Sequence, residues 1–165
     1  MIKRRIMSVI VSLSLLCGIF SISVTNVQAS DLKKVDGSYL TKDEHSEGHS
    51  SDSLTRGIHM MDGECSISKA GRDEIYCYGA TTANHEVDYL AVLVYVDQYQ
   101  EDLDEWWQID AWVVEETDNY YVATAKTLEV PRGYYYRVHA DHFVSDGDDP
   151  VEETFSATNG IYLPK

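Results

Sequence analysis

Positively charged side chains are scarce in this chain. Its 165 residues include 13 Lys and Arg against 28 Asp and Glu, which gives a formal net charge of −15 at pH 7. A chain this acidic is repelled by the phosphate backbone of nucleic acids and by anionic membrane surfaces. We therefore exclude nucleic acid as a partner, and the membrane as well once the N-terminal segment described below has been removed.

The signatures of common catalytic sites are also missing. There is no Gly-x-Ser-x-Gly nucleophile elbow. The segment that starts at His85 begins like a zinc-protease helix, but Tyr89 stands where that motif has its second histidine. Carboxylates such as Glu115 and Glu116 are adjacent in sequence, so on a strand they point to opposite faces and form no acid–base pair. The sequence predicts no catalytic residue, no cofactor and no metal site.

Two polar segments keep metal binding open as an alternative. His45 and His49 lie among glutamates in a polar tract, where side chains of a mobile segment can hold a transition metal weakly. A turn after Val144 is dense in the oxygen ligands that calcium prefers, although it lacks the spacing of an EF-hand loop. The carboxylates of that turn are Asp146, Asp148, Asp149 and Glu152. A solvated acidic turn is the simpler interpretation.

The N-terminus has the pattern of a secretory signal. Basic residues at positions 3–5 precede a mostly apolar stretch over residues 6–24, and Val27 and Ala29 supply the small residues of a cleavage site. We expect a cleaved signal peptide over residues 1–29 and a secreted, extracellular protein, with an uncleaved anchor as the alternative. Cleavage lowers the net charge from −15 to −18, because the segment carries three positive charges and no carboxylate.

Residues 30–55 have little to bury. The stretch "TKDEHSEGHSSDS" consists of serine, glycine, threonine, histidine and charged residues. Such a composition does not offset the conformational entropy lost on ordering, so it predicts a flexible acidic spacer. The folded domain is then expected over residues 56–165.

That domain has the pattern of an all-β protein. Short runs rich in Val, Ile, Tyr, Trp and Thr alternate with Gly, Asp, Asn and Pro, and no helical period is visible. The runs predict strands near residues 58–61, 65–69, 74–82, 87–99, 106–116, 120–130, 134–144 and 153–163. Seven or eight short antiparallel strands in a domain of this length are typical of an immunoglobulin-like β-sandwich.

Alternation of apolar residues predicts which faces of two strands are buried. One predicted core set is Leu90, Val92, Val94 and Val96, and the other is Trp107, Ile109, Ala111 and Val113. A hairpin that places Tyr99 opposite Trp106 also places Val96 opposite Ile109. Both core sets then fall on the same face of the hairpin.

The opposite face of this hairpin carries the predicted binding surface. Its candidate residues are Tyr95, Tyr99, Trp106, Asp110 and Trp112. Aromatic rings beside carboxylate and amide groups suit an extracellular glycan or peptide. The alternative is that a further strand or the spacer covers this aromatic strip.

The stretch "GYYYRVHADH" raises the question of a histidine site. His139 and His142 are an odd number of residues apart, so a regular strand points them to opposite faces and they do not bind one metal together. We interpret His142 as a buried histidine with a hydrogen bond. Tyr136 follows the turn signal "LEVPRG" and is our candidate for the tyrosine corner of a sandwich domain.

A disulfide is predicted between Cys65 and Cys77. A short turn around Gly71 places Ile67 opposite Ile75 and the two cysteines opposite each other. Opposed cysteines on neighbouring strands have a geometry that allows a bridge, and export places the thiols in an oxidising setting. The alternative is two free core cysteines, which a slip in register produces.

Several blocks of sequence resemble a known family. They are "TRG" at Thr55, "GATTA" at Gly79, "VDYLAVLVYV" from Val87, "GYYYRVHADH" from Gly133 and "SATNGIYL" from Ser156. They are similar to recurring blocks in small secreted proteins of clostridia and related Firmicutes that share a domain of unknown function. The resemblance runs from Thr55 to the C-terminus, implies an extracellular all-β protein and assigns no site residue.

These observations favour a secreted, non-catalytic binding or interaction module. The alternatives are a secreted hydrolase, which requires convergent ionisable groups, and a bacteriocin-like or toxin-like effector, which small size and export permit.

Overall fold

Strands make up the regular structure of the part of the chain that the structure describes. The computed structural model describes residues 32–50 and 57–165. Its strands are β1 (Lys34–Val35), β2 (Ser38–Thr41), β3 (His45–His49), β4 (Met60–Lys69), β5 (Glu74–Val87), β6 (Tyr89–Gln100), β7 (Glu105–Glu116), β8 (Asn119–Glu129), β9 (Tyr134–Ser145), β10 (Glu152–Ala157) and β11 (Gly160–Leu163). Among these residues no helix has the length and apolar character needed to cross a membrane. The predicted signal peptide, residues 1–29, lies outside the described residues.

The strands form two sheets. The larger sheet has the order β1-β2-β11-β9-β6-β7, and β10 pairs with β9 beyond the end of β11. The smaller sheet has the order β3-β4-β5-β8. The pairs are antiparallel except β2 with β11, which run parallel. The all-β, two-sheet prediction is confirmed, although the described residues hold eleven strands and not seven or eight.

The two sheets pack face to face through the predicted apolar residues of β6. Leu90, Val92, Val94 and Val96 are fully buried, as their alternation predicts. Across the interface, β5 presents Gly79, and a Cβ at that position would lie 2.6 Å from a methyl group of Val94. Glycine is therefore the residue that allows the sheets to approach this closely.

The spacer predicted for residues 30–55 is wrong where the structure describes it. β2 pairs with β11 and β3 pairs with β4, so both strands belong to the sheets. Ser38 and Thr41 are buried, and their hydroxyls donate hydrogen bonds to the carbonyls of Thr158 and Gly160. These strands gain stability from backbone pairing and hydroxyl contacts, which a composition argument based on apolar side chains does not detect. Residues 51–56 lie outside the described part.

The register predicted for the β4–β5 hairpin is also wrong. The turn is longer than expected, so Lys69 lies opposite Ile75, Ile67 opposite Cys77, and Cys65 opposite Gly79. A shift of two residues leaves both cysteines on the inner face, where they are buried, but it removes them from opposite positions. Both thiols are free, which corrects the predicted disulfide. Burial raises the pKa of each thiol to about 12, which makes both cysteines unreactive.

The interpretations of Tyr136 and His142 are confirmed. Tyr136 is fully buried and its hydroxyl donates to the carbonyl of Pro131, the contact expected of a tyrosine corner. His142 is fully buried between the sheets, and its ring nitrogens lie 2.9 Å from Oγ1 of Thr81 and 2.8 Å from Oγ of Ser156. Burial lowers the pKa of His142 to about 4, because the charged imidazolium loses its hydration there.

The depressed pKa of His142 predicts a loss of stability in acid. The folded state binds this proton only near pH 4, whereas an unfolded histidine binds it near its usual pKa of 6.5. The contribution of His142 is therefore fully present above about pH 6.5 and is lost as the pH falls towards about 4. We expect the loss to be about 3 kcal/mol of unfolding free energy, measured by urea denaturation across this pH range.

Two variants separate this effect from general acid denaturation. His142→Gln should lose most of this pH dependence, whatever its absolute stability. His45→Gln changes an exposed histidine and should keep the wild-type dependence. If His142→Gln does not fold, an NMR titration of the wild-type histidines gives the answer. A His142 midpoint at or above 6 would contradict the prediction.

Candidate functional site

A β-bulge in β7 divides the predicted aromatic strip. Tyr99 lies opposite Trp106, as predicted, but Asp97 pairs with Gln108 while Val96 pairs with Asp110. Ile109 is therefore the extra residue, and all side chains after it point to the face opposite the one predicted. The core predicted for β7 is wrong: the bulge exposes Ile109 and Val113, and Trp107, which precedes the bulge, is exposed as well.

Beyond the bulge, Asp110 and Trp112 face the smaller sheet and do not join Tyr95. The indole Nε1 of Trp112 donates to Oγ1 of Thr124, 3.0 Å away on β8. Lys126, also on β8, lies over the Trp112 ring and forms a 2.8 Å ion pair with Asp110. Both predicted binding residues therefore help to hold the edge strands β7 and β8 together.

Tyr95 remains on the outer face but is engaged by neighbouring side chains. Its ring stacks on the imidazole of His139, with centroids 4.5 Å apart and planes 10° apart. Its hydroxyl donates to Asp141 at 3.1 Å, and burial with the negative charge of that carboxylate raises the pKa of Tyr95. This part of the outer face is a packed layer of side chains and not an open ligand surface.

A buried ion pair lies beside this layer. Nε of Arg137 donates to the carboxylate of Asp97 at 2.9 Å, and both side chains are almost completely buried. Burial acts to raise the pKa of Asp97, but hydrogen bonds from His139 and Arg137 outweigh it and hold the pKa below its usual range. Arg137 also donates to the backbone carbonyl and the carboxylate of Asp36 and lies over the ring of Trp106.

Tyr99 and Trp106 lie at the end of the outer face, next to a groove. Their ring centroids are 5.4 Å apart, and Tyr99 also has an edge contact with Tyr135. The Tyr99 side chain is only 3% exposed, and its hydroxyl donates to Asp104 at 2.7 Å. Trp106 is half-buried, with its Nε1 bound to the carbonyl of Val35. Tyr99 lines this groove, and Trp106 packs against the Tyr99 ring.

The groove itself is lined by four tyrosines from three strands and is hereafter the tyrosine groove. Tyr99 belongs to β6. Tyr134 and Tyr135 begin β9, and Tyr162 comes from β11, with its ring centroid 4.9 Å from that of Tyr135. This section has a volume of about 360 Å³. It continues past Tyr134 into a second section of about 560 Å³, which reaches Trp107. Volumes in this range are typical of ligand sites.

Charged groups of both signs lie around the tyrosine groove. Lys42, Lys165 and Glu101 line its first section, and Lys165 and Glu101 line the second as well. The turn before β9 is fixed by Gly133, whose φ of +90° suits glycine and whose amide donates to the carbonyl of Leu163. Aromatic faces with polar groups at the rim are therefore held on a rigid frame.

Sequence reasoning did not identify Tyr134 and Tyr162 as groove residues, nor a second cluster at the opposite end of β9. In that cluster His59, His85 and Asp146 bring ring nitrogens and a carboxylate oxygen close together. His85 and Asp146 had local signals, since His85 begins a histidine motif and Asp146 lies in an acidic turn, but His59 had none. Nothing in the sequence indicated that the fold brings these residues together.

Comparison with known proteins places the chain in a family. Residues 31–161 match the model described as a family of unknown function (DUF6147). The match confirms the resemblance to an uncharacterised family and also covers the segment predicted as a spacer. The chain matches no curated protein and no solved structure.

The buried pair of Arg137 and Asp97 predicts a large effect of removing one partner. Arg137→Ala leaves the carboxylate of Asp97 buried without its main counter-charge, so we expect a loss of about 3–5 kcal/mol in unfolding free energy. Urea denaturation at neutral pH measures this. Lys126→Ala removes a more exposed ion pair and should cost about 1 kcal/mol or less.

Arg137→Lys serves as an intermediate variant that retains the charge but lacks the forked guanidinium. Its stability should fall between those of the wild type and Arg137→Ala. Equal losses for Arg137→Ala and Lys126→Ala would show that the buried pair has no special role.

Proposed function

The chain belongs to a family of unknown function, and we propose that it is a non-catalytic binding module that recognises glycans through the tyrosine groove. The observation that carries this proposal is the continuity of the two groove sections, which share Tyr134, Glu101 and Lys165. Two connected sections of about 360 and 560 Å³ suit an extended chain of sugar units, with one or two units in each section.

The chemistry of the groove favours a hydroxyl-rich, uncharged ligand. Tyrosine rings offer apolar faces to the C–H groups of a sugar, and their hydroxyls offer hydrogen bonds. Lys42, Lys165 and Glu101 add donors and acceptors of opposite charge, so the rim selects neither an anion nor a cation. Glycan hydroxyls can bond to both kinds of group.

The position of the groove favours a glycan over a peptide. Extended peptides are often bound by pairing with the exposed edge of a sheet. The tyrosine groove lies at the ends of β6, β9 and β11, over the turns that connect strands, and not along a strand edge. A peptide ligand there would therefore lack the backbone pairing that gives such complexes much of their affinity.

We also propose that the protein is secreted and that its sandwich is a variant of the immunoglobulin-like fold. The basic, apolar and small-residue pattern of residues 1–29 supports export. The tyrosine corner at Tyr136 and the two facing sheets support the fold assignment. An origin of the family in clostridia and related Firmicutes stays a prediction.

Binding to an oligosaccharide array, followed by calorimetry with the best ligand, tests the proposed function. Tyr134→Ala removes an exposed ring shared by both groove sections and should weaken binding at least tenfold, which corresponds to about 1.4 kcal/mol. Tyr162→Ala should act in the same direction. Both variants should keep the wild-type circular dichroism spectrum.

Tyr120→Ala is the matched control, because Tyr120 is an exposed tyrosine of β8 that does not line the groove. It should change the affinity less than twofold. Absence of binding across the array, selective binding to a parallel peptide array, or equal losses for Tyr134→Ala and Tyr120→Ala would refute the glycan proposal.

A further inference from the structure

Three segments meet at the end of β9 farthest from the tyrosine groove. His59 directly precedes β4, His85 lies near the end of β5, and Asp146 follows the last residue of β9. His85 and Asp146 are 61 residues apart in sequence. The fold alone therefore creates this cluster, since no short motif contains it.

The distances within the cluster are those of a metal site. Nε2 of His85 lies 3.4 Å from Nδ1 of His59 and 3.3 Å from Oδ2 of Asp146. Tetrahedral zinc with ligands at about 2.0–2.1 Å separates neighbouring ligand atoms by about 3.3–3.4 Å. The remaining distance, from Nδ1 of His59 to Oδ2 of Asp146, is 4.0 Å, so only a small closure is needed.

In each histidine, a hydrogen bond to the ring nitrogen that points away from the cluster determines which nitrogen is free to bind a metal ion. Nε2 of His59 lies 3.0 Å from a carboxylate oxygen of Asp149, which only accepts, so this nitrogen carries a proton. The side-chain amide of Asn84 donates to the carbonyl of Ile58, which turns its oxygen towards Nδ1 of His85. In each neutral ring the nitrogen that faces the cluster is therefore the one with the lone pair.

The cluster thus directs three acceptor atoms at one point. Two imidazole lone pairs and a carboxylate oxygen repel each other unless a proton or a cation lies between them. The contact between Asp149 and His59 is the carboxylate–histidine pairing that orients a metal ligand and strengthens its basicity. Glu152 accepts hydrogen bonds from the backbone amides of His59 and Met60, which holds His59 in place.

We propose that His59, His85 and Asp146 bind a divalent first-row transition metal ion, with Zn²⁺ as the best fit. Two imidazoles and one carboxylate form a ligand set that suits zinc. The His85 and Asp146 side chains are 46% and 33% exposed, so the fourth position is open to water. The bound ion joins the loop between β9 and β10 to the ends of β4 and β5.

Calcium is excluded because the neighbouring carboxylates are bound to other groups. Calcium requires six to eight oxygen ligands around one point. Asp149 is bound to His59 and Glu152 to backbone amides, so these carboxylates do not converge with Asp146. The acidic turn therefore supplies one ligand and one orienting group to a nitrogen-rich site.

Calorimetric titration of chelator-treated, tag-free protein with Zn²⁺ tests the proposal. One ion should bind per chain and raise the unfolding temperature, because binding to the folded state alone stabilises it. Titration with Co²⁺ should give the strong visible absorption of a tetrahedral complex. His85→Ala, which changes the most exposed ligand, should weaken Zn²⁺ binding at least tenfold and abolish the rise in unfolding temperature.

Two further variants complete the experiment. Glu86→Gln changes an exposed carboxylate next to His85 that is not part of the cluster, and it should leave Zn²⁺ affinity unchanged. Asp149→Asn keeps all three ligands but weakens the orientation of His59, so it should reduce affinity by roughly tenfold. Failure of the wild type to bind Zn²⁺ at one ion per chain, equal binding by His85→Ala and Glu86→Gln, or tighter binding of Ca²⁺ would overturn the assignment. None of these measurements depends on the tyrosine groove.

Discussion

The guanidinium of Arg137 connects elements of the larger sheet that are far apart in sequence. It neutralises Asp97 on β6, binds Asp36 in the turn between β1 and β2, and lies over Trp106 of β7. A buried carboxylate without such a partner is strongly unfavourable, so the position of β6 beside β9 depends on this charge. The N-terminal strands are held by the same group. The tyrosine groove, where Trp106 packs against Tyr99, depends on it as well.

Sequence patterns predicted the parts of the fold where side-chain alternation decides burial. Val92 and Val94 on β6 and Tyr136 on β9 occupy the predicted positions, because strands buried on one face require apolar residues at every second place. The prediction was wrong wherever an extra residue or a longer turn shifted the pairing register of the strands. Ile109 inverts the second half of β7, and a longer turn moves Cys65 two positions away from Cys77. Neither a bulge nor a turn length has a reliable signature in a single sequence.

Polar strands are the second limit of sequence reasoning in this chain. β3 has no apolar side chain, and β2 contributes Leu40 to the core beside its polar residues. Ser38 and Gly48 are nevertheless buried, because backbone and hydroxyl groups pair with neighbouring strands. The candidate sites show the same limit. Of the aromatic residues predicted as binding candidates, Tyr99 does line the groove. Tyr134 and Tyr162 line it as well, and only the pairing of β9 with β11 brings these two together. A single sequence contains the residue types of a site, and the topology determines which of them meet.

The parallel pairing of β2 with β11 has a consequence for the order of folding. Ser38 and the carbonyl to which it is bonded are 120 residues apart in sequence, and among the described strands the other neighbour of β2 is the two-residue β1. During synthesis β2 leaves the ribosome early, but among the described strands it has only the two-residue β1 as a partner until β11 has been made. Long-range pairings of this kind form late and slow the folding of β proteins. The first strands of the larger sheet are therefore among the last to be placed, although they are among the first to be made.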